Sequence, residues 1–396
     1  MKNEKHLTIL LQSFLVLLSL ILPLTGQAAP LTGPTIAGCP LFPPDNIWNT
    51  PIDSAPIHPN SALWMDVNNG HTGHPLHPDF GTVYNGAPNG LPINIVSGTS
   101  PKTSVTFTYA GESDPGPYPL TTSLALEGGS WDPTINSGDR HMLMVDKDSC
   151  RLYELFSLNP PDASGNWSAG SGAIWDLNSN TLRPDVWTSA DAAGLPIVPG
   201  LVTYDEVATG EIKHALRFTV VLTWKPHHWP ARHDAASGSA NNPPMGMRVR
   251  LKANFDISGY SVTNQVILRA LKKYGMILAD NGGDWFISGA PDARWDDGDL
   301  HLLTQITPST AFEVVDISSW MVDPNSGQAR AVTSTAGSTC DLNGDGYTNV
   351  ADVQGEVNQA LGISACKNDI NLDGSCNVVD VQRVVNAALG GTCITQ

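Results

Sequence analysis

Short runs of alternating apolar and polar residues dominate the chain up to about residue 320. Such runs lie at residues 104–109, 141–146, 151–157, 216–224 and 247–252, and most have the two-residue period of a strand buried on one face. Turn-forming Pro, Gly, Asn and Asp separate them. The pattern predicts a mainly β domain over residues 30–320, of sandwich or jelly-roll type, with residues 146–150 as a hairpin turn.

A single longer helical pattern interrupts the predicted strands. Apolar residues recur at helical spacing within residues 262–274, and Gly275 follows as the expected C-cap. Residues 276–278 and 285–288 are then predicted to be strands on either side of a turn at residues 281–283. The large domain is therefore expected to be mainly β with a few helices.

The first residues are typical of an export signal. Lys2 and Lys5 precede a mostly apolar run over residues 7–24, and small residues follow at a cleavage site that ends with Ala28. We expect residues 1–28 to be removed and the mature protein to be secreted or attached to the cell surface, without stable membrane insertion. The alternative is an uncleaved membrane anchor, because the run is nearly long enough to span a bilayer.

The six cysteines are expected to be oxidised, because disulfides persist outside the cytoplasm. Four of them lie in the last segment, at Cys340, Cys366, Cys376 and Cys393, and allow three connectivities. Cys39 and Cys150 are left to pair with each other across the large domain.

The formal net charge of -17 excludes one class of partner. Such a charge keeps an exported protein soluble and repels polyanions, so nucleic acid is not an expected partner. Many of the acidic residues lie in loops that are suited to binding cations.

The C-terminal segment contains a tandem repeat with a constant offset of 28 residues. Residues 321–339, rich in Ser, Thr, Ala and Gly, are predicted to be a linker before it. Each repeat has oxygen-bearing side chains at loop positions one, three, five and twelve and Gly at six, which describes an EF-hand-type calcium loop with one helix after it. The predicted Ca²⁺ ligands are Asp341, Asn343, Asp345, Tyr347, Asn349 and Asp352 in the first loop, and Asp369, Asn371, Asp373, Ser375, Asn377 and Asp380 in the second, with Tyr347 and Ser375 acting through main-chain carbonyls.

The tandem loop-and-helix unit resembles the dockerin family, of type I, over residues 340–393. The resemblance implies a small all-α, EF-hand-like module that binds a cohesin on a partner protein. It places the recognition positions, ten and eleven of each loop, on Val350, Ala351, Val378 and Val379. The alternative is a calcium-stabilised spacer that binds no partner.

Dockerin carriers are often polysaccharide-degrading enzymes, so the resemblance implies a carbohydrate substrate for the large domain. Residues 30–320 themselves resemble no named catalytic family. Glycoside hydrolysis needs two carboxyl groups, one protonated and one ionised. Glu154 lies in an apolar run, where burial would raise the pKa of a general acid. The candidate catalytic residues are Glu127, Asp139, His141, Glu154, Asp205 and His214, with Glu206, Asp280 and Asp284 as further carboxyl groups at turns.

Three alternatives to hydrolysis remain open from the sequence. The first is a polysaccharide lyase, in which Arg140, His141, Tyr153, His214, Arg217 and His233 would neutralise a uronate and move protons. The second is a zinc site, built from the histidines at 71, 74 and 77 or at 227, 228 and 233. The third is a non-catalytic carbohydrate-binding or adhesive protein, since eleven tryptophans are suited to stacking on sugars as well as to core packing.

Overall fold

The computed structural model describes residues 33–66, 73–330, 339–343, 348, 350–389 and 393–395. The predicted leader, residues 1–28, lies outside this part of the chain. In the described part, no helix combines the length and apolar character needed to cross a bilayer.

Strands form most of the regular structure before residue 320, as the alternating pattern predicted. In the described residues they are β1 Thr35–Ile36, β2 Cys39–Pro40, β3 His77–Asp79, β4 Val83–Tyr84, β5 Ala87–Pro88, β6 Ile93–Val96, β7 Val105–Phe107, β8 Met142–Asp146, β9 Arg151–Phe156, β10 Trp167–Ala169, β11 Ser171–Asp176, β12 Leu216–Val220, β13 Arg248–Leu251, β14 Met276–Asn281, β15 Phe286–Ser288 and β16 Phe312–Val315. All five of the longest predicted runs contain a strand.

Two mixed sheets organise these strands. One has the order β11-β9-β8-β6, and the other has the order β16-β13-β14-β12-β15-β3. Parallel pairs occur at β6 with β8, β12 with β14 and β15 with β3, and the remaining pairs in these two sheets are antiparallel. A jelly roll is antiparallel, so the expected topology differs from the one observed. Hydrophobic periodicity indicates where a strand lies but not which neighbour it pairs with.

Helices are few in the large domain. In the described residues the α-helices are α1 Ser61–Trp64, α2 Tyr204–Thr209, α3 Val262–Lys273, α4 Asp297–Leu300, α5 Pro308–Ala311, α6 Val350–Ala360 and α7 Val378–Ala388, with 3₁₀ turns at Ala110–Glu112, Val198–Gly200, His301–Gln305 and Ser318–Trp320. The predicted helix is α3, whose N-cap Ser261 accepts the Asn264 N–H at 3.1 Å. Gly275 follows at φ +63° and donates its N–H to the carbonyl of Ala270. The predicted helix and its end are thus confirmed.

Strand β8 contributes to two separate apolar cores. Leu143 and Val145 pack in the main core, together with α3 and the six-stranded sheet. Met142 and Met144 point into a second core that also contains Tyr153. Successive side chains of a strand face opposite sides, so the four-stranded sheet is covered on both faces. This arrangement explains why the strand is apolar at nearly every position.

The predicted hairpin and the predicted long-range disulfide lie together. In β8 and β9, Asp146 pairs with Arg151, and the Asp146 carboxylate accepts the N–H groups of Asp148 and Ser149 in the turn. Cys150, at the end of that turn, forms a disulfide with Cys39, with Cα atoms 5.3 Å apart. The other disulfides join Cys340 to Cys393 and Cys366 to Cys376, which selects one of the three open connectivities.

Two expectations about chain organisation are corrected. β14 and β15 do not pair around the turn at 281–283, because β12 lies between them in the sheet. Residues 321–330 are not a linker: the Arg232 guanidinium donates to Pro324 O at 2.6 Å and to Asn325 Oδ1 at 2.9 Å. Composition concealed this packing because it uses main-chain and amide groups rather than bulky side chains. The large domain therefore extends at least to Arg330, while residues 331–338 lie outside the described part.

Candidate active site

A cleft of about 310 Å³ lies beside the six-stranded sheet and the loop that leads into β8. Strands β3, β12, β14 and β15 and the 127–141 loop supply its walls. Its charged lining residues are Asp79, Glu127, Asp139, His141, Arg217 and Asp280. The fold thus brings four acidic and two basic residues, distant from one another in the sequence, to the walls of one cleft.

Glu127 and His141 form a charged pair at the back of the cleft. Glu127 Oε2 accepts hydrogen bonds from the His141 ring Nδ1 at 2.8 Å and from the His141 main-chain N–H at 2.9 Å. The other ring nitrogen, Nε2, lies 3.1 Å from the Ala190 carbonyl, so a doubly protonated ring satisfies both contacts. Burial lowers the pKa of His141, but the charge and the hydrogen bond of Glu127, together with the charge of Asp191, outweigh burial and raise it to about 9. Burial raises the pKa of Glu127, and His141 reverses this, so the net pKa is lowered.

A tight loop sets the position of Glu127. Gly128 and Gly129 follow it with φ of +75° and +73°, a region that suits glycine. A Cβ on Gly128 would lie 2.4 Å from Asn136 Oδ1, while the Asn136 side-chain amide donates to Glu127 O at 2.6 Å. The LEGGS segment is therefore folded closely around Asn136, which fixes the carboxylate at the cleft.

Arg217, at the second position of β12, is held by a buried acid. Its Nε and Nη2 donate to the two carboxylate oxygens of Asp191 at 2.7 and 2.5 Å, and its Nη1 donates to Ser288 Oγ. Asp191 is fully buried. A bidentate pair of this kind neutralises both charges and fixes the guanidinium plane.

Asp280, at the end of β14, is the second carboxyl group of interest. Its Oδ2 lies 3.4 Å from Arg217 Nη2, and its side chain is 19% exposed. Burial, followed by the negative charge of Asp191, raises the pKa of Asp280 to about 7, although Arg217 opposes the shift. One cleft therefore contains Glu127, which favours ionisation, and Asp280, which can hold a proton near neutral pH. Carboxyl groups with pKa values pushed apart are the arrangement used for combined acid and base chemistry.

The cleft continues into two neighbouring cavities. On one side, a cavity of about 440 Å³ shares Asp79, Tyr84 and Phe286 with it. The Phe286 ring stacks on His77 with centroids 4.1 Å apart, and Tyr84 is 67% exposed. On the other side, Asp280 also borders a cavity of about 290 Å³. The shared walls join the three cavities into an extended groove, with Asp280 in the wall between two of them and Glu127 in the central cleft.

The structure brings together only half of the six predicted catalytic residues. Glu127, Asp139 and His141 line the cleft. Asp205 is instead an exposed residue of α2, paired with Arg294 at 2.7 Å. His214 is buried and pairs with Glu206 at 3.1 Å, and it does not line the cleft.

Glu154 has the predicted raised pKa, but it does not line the cleft. Burial raises its pKa to about 7, as expected for a carboxyl group in an apolar run. The carboxylate is fully buried and accepts the N–H groups of Ile197 and Val198 at 2.9 to 3.0 Å. It therefore caps the Val198–Gly200 turn and has no path to a substrate in the cleft.

Sequence reasoning missed Asp79 and Asp191 and gave Arg217 a different role. Arg217 lies in a strand whose other residues are apolar or Thr, and a buried guanidinium requires a buried acid partner. The sequence therefore indicates that a buried acidic residue pairs with Arg217, but only the fold identifies that residue as Asp191. Asp79 follows the three candidate zinc histidines at 71, 74 and 77, so its segment was considered only for a zinc site.

The described histidines that the zinc alternative would use do not converge. His77 stacks on Phe286, while His227 lies 3.1 Å from Asp234 and 3.2 Å from Asp185. His228 packs on Trp64 instead, and residue 71 lies outside the described residues. Within the described part of the chain, no three His, Cys, Asp or Glu side chains are placed to hold a metal ion.

The described parts of the two C-terminal repeats share their helix bounds and the contacts of loop position twelve. Helices α6 and α7 begin and end at positions exactly one repeat apart. Asp352 Oδ1 accepts the N–H groups of Leu342 and Asn343 at 2.9 and 3.2 Å. Asp380 Oδ1 accepts those of Ile370 and Asn371 at 2.9 and 3.1 Å. Both carboxylates, at loop position twelve, are fully buried.

Hydrogen bonds link several of the predicted ligands of the second loop to one another and to the main chain of the loop. Asp373 Oδ2 accepts from the side-chain amides of Asn371 at 2.7 Å and Asn377 at 3.2 Å. Asp369 accepts the main-chain N–H groups of Asp373 and Gly374. In the first loop, Asp341, Asn343 and Asp352 are described, whereas Asp345, Tyr347 and Asn349 lie outside the described residues. The second loop therefore places hard oxygen donors of the type that Ca²⁺ prefers around one short turn.

No protein-family model, curated protein or solved structure matches the chain. The resemblance of the C-terminal segment to dockerins therefore depends on its own residues, and the large domain must be interpreted from its chemistry.

Proposed function

We propose that the protein is a secreted carbohydrate-active enzyme that hydrolyses O-glycosyl bonds in a polysaccharide. The observation that carries the proposal is the pair Glu127 and Asp280, two carboxyl groups with opposite pKa shifts in one extended groove. Exposed Tyr84 and the Phe286 ring beside the groove are suited to sugar faces.

The proposed reaction assigns one role to each carboxyl group. Asp280, protonated, gives its proton to the glycosidic oxygen as the bond to the anomeric carbon breaks. Glu127, ionised, provides the negative charge opposite the developing positive charge or takes the proton of the attacking water. His141 positions Glu127 and keeps it ionised. Arg217 orients Asp280 through the shared Asp191 pair.

The charge of the groove favours hydrolysis of a neutral glycan over elimination from a uronate. Arg217, the cation needed to neutralise a uronate, already donates to both oxygens of Asp191. Asp79 and Asp139 add negative charge to the same walls and would repel an acidic polymer. Of the other members of the predicted lyase set, His141 lines the cleft but its ring pairs with Glu127. His214 pairs with Glu206 instead, and the Tyr153 hydroxyl contacts Lys102.

Incubation with a panel of neutral and acidic polysaccharides distinguishes the candidate functions. The mature protein should release new reducing ends from a neutral glycan, and Glu127→Gln and Asp280→Asn should each lower the rate at least a hundredfold. Asp205→Asn is the matched control. It replaces an exposed side chain that does not line the cleft, so the activity should be unchanged. Binding without any product would support the non-catalytic alternative, and unsaturated products would support the lyase.

We infer a second function for the C-terminal segment, that of a dockerin-like module that binds calcium and attaches the enzyme to a cohesin. Asp352 and Asp380, at position twelve of the two loops and 28 residues apart, make the same main-chain contacts, which supports a tandem calcium module. Calcium would supply the positive charge that gathers the loop carboxylates. The recognition positions Val350 and Val378 are 80% and 75% exposed, which supports a partner surface on the helices. A calcium-dependent pull-down with cohesins tests this role, and calcium-stabilised folding without any capture would support the spacer.

A further inference from the structure

The cavity of about 290 Å³ beside Asp280 contains side chains that the proposed reaction does not use. We call it the Tyr109 cavity. Its walls include the side chains of Tyr109, Glu112, Thr188 and His233. These four residues do not line the central cleft that holds Glu127. The Tyr109 cavity therefore extends the groove beyond the two reacting carboxyl groups.

Tyr109 supplies an aromatic surface on a fixed support. Its side chain is 52% exposed. Its main-chain N–H donates to Gly170 O at 2.9 Å, and its carbonyl accepts the Ser113 hydroxyl at 2.8 Å and the Glu112 N–H at 3.1 Å. The main chain is thus held on both sides of the ring. Such a partly exposed aromatic ring, with its polar hydroxyl edge, is suited to packing on a sugar face.

Glu112 and His233 supply polar groups to the same cavity. Glu112 Oε2 accepts the Thr188 N–H at 3.3 Å, and the carboxylate side chain is 40% exposed. His233 Nδ1 donates to Ala192 O at 2.7 Å, which leaves Nε2 at 3.8 Å from Glu112 Oε2. This separation is longer than a hydrogen bond, so one sugar hydroxyl can bond to both side chains. An apolar surface with a few positioned polar groups is typical of a small-ligand site.

The position of Asp280 fixes where a glycan would lie. A general acid must be within hydrogen-bond reach of the atom that it protonates. Asp280 borders both the Tyr109 cavity and the central cleft. In the proposed reaction, the glycosidic oxygen therefore lies at the boundary between these two cavities. The sugar on one side of the bond occupies the cleft with Glu127, and the sugar on the other side enters the Tyr109 cavity.

The groove also continues on the other side of the central cleft. The cavity of about 440 Å³ beyond the cleft shares Tyr84 and Phe286 with it. Small-ligand sites begin at about 300 Å³, so the groove has room for glycan on both sides of the bond that is cleaved. A site that trims chain ends needs a wall close to one side of that bond instead.

We propose that the Tyr109 cavity is a sugar-binding subsite across the cleaved bond from Tyr84 and Phe286, and that the enzyme cleaves internal bonds of a neutral polysaccharide. The inference rests on the hydrolase function proposed above. Tyr109 packs on the sugar ring, while Glu112 and His233 bond to its hydroxyl groups. The Glu112 carboxylate would repel a uronate at this position, which restricts the substrate to uncharged sugars.

Product analysis with the full-length mature protein tests the inference. Soluble starch, mixed-linkage glucan, arabinoxylan and galactomannan are the neutral probes. On the glycan that is cleaved, size-exclusion chromatography follows chain length while a reducing-sugar assay counts the cleaved bonds. Internal cleavage should shorten the average chain early, when few reducing ends have formed, and should give a broad range of oligosaccharides.

Variants of Tyr109 test the subsite itself. Tyr109→Ala should lower kcat/KM on the polymer about tenfold through loss of one aromatic contact, and should change which bond is cleaved in an end-labelled oligosaccharide of the same glycan. Tyr109→Phe keeps the ring and should keep both the rate and the cleaved bond. Val262→Ala is the control, because this α3 residue is 77% exposed and lines none of the three cavities.

The outcomes separate the inference from the function on which it rests. If the parent protein forms new reducing ends but releases only short products from chain ends, internal cleavage is wrong while the hydrolase stands. An unchanged rate and an unchanged cleaved bond in Tyr109→Ala would show that the Tyr109 cavity is not a subsite. If the parent protein forms no new reducing ends on any of the glycans, both proposals are wrong.

Discussion

Buried Glu154 and partly exposed Glu127, both in the large domain, have different roles because their exposure and their hydrogen-bond partners differ. Glu154 is enclosed and accepts main-chain N–H groups, so its raised pKa is a consequence of folding alone. Glu127 accepts from a charged ring and borders the cleft, so its lowered pKa keeps a negative charge where a ligand can reach it. A shifted pKa therefore indicates a catalytic residue only when the side chain also faces a cavity.

The Glu127–His141 pair should make stability depend on pH. The pKa of His141 is raised from 6.5 to about 9 in the folded protein, so its contribution is complete below 6.5 and is lost as the pH rises through 9. The full linkage is about 3 kcal/mol. Urea unfolding at pH 6 and pH 9.5 should show a larger loss for the parent protein than for His141→Gln. Equal losses would mean that the pair does not carry this linkage.

The same site predicts the pH dependence of catalysis. Activity requires ionised Glu127, whose pKa lies below its usual value, and protonated Asp280, whose pKa is about 7. The value of kcat/KM should therefore be high in mildly acidic solution and fall about tenfold per pH unit well above 7. A rate that rises through pH 7 to 9 would contradict this assignment of acid and base.

At the scale of elements, the sequence predicted seven of the sixteen described strands, the α3 helix and the hairpin, because these depend on local alternation and caps. It did not predict the placement of β12 between β14 and β15, because strand order depends on packing between distant segments. The residues of the candidate site divide in the same way, into those that local sequence signals indicate and those that only packing between distant segments brings in. Glu127 and His141 stand at turns that the sequence reveals, whereas Asp79 and Asp191 join the site only through the fold. In the C-terminal segment, the repeat itself predicted both helices.

The loop that carries Glu127 should be sensitive to a single methyl group. Gly128→Ala would place a Cβ 2.4 Å from Asn136 Oδ1 at a φ of +75°, which should lower the free energy of unfolding by about 1 to 3 kcal/mol and reduce activity more than in proportion. Gly111→Ala is the control, because its Cβ would meet no atom within 4 Å. Denaturant unfolding and glycan hydrolysis measure both effects. A stable, fully active Gly128→Ala protein would show that the loop does not constrain Glu127.

At the scale of the whole molecule, disulfides of very different span act on different parts of the chain. Cys39 and Cys150 are 111 residues apart and join the start of the described domain to the β8–β9 hairpin. Cys366 and Cys376 are only 10 residues apart, within the C-terminal segment. A cross-link restricts the unfolded chain more as the enclosed loop lengthens.

The long-range disulfide should therefore dominate the covalent stabilisation of the large domain. Replacing Cys39 and Cys150 by Ser should lower its free energy of unfolding by about 4 kcal/mol. Replacing Cys366 and Cys376 by Ser should leave that transition unchanged, which makes this pair the control. Guanidinium unfolding followed by tryptophan fluorescence measures the effect. An unchanged midpoint after loss of the long-range pair would contradict the expectation.

The central claim is that this groove adds water across a glycosidic bond by means of Glu127 and Asp280. Mass spectrometry of products formed in ¹⁸O-labelled water tests it most directly, with a neutral polysaccharide that the parent protein cleaves. We expect one labelled oxygen at each new reducing end, with product formation almost abolished by Glu127→Gln and by Asp280→Asn. Unsaturated products without the label, or undiminished cleavage by both variants, would contradict the account.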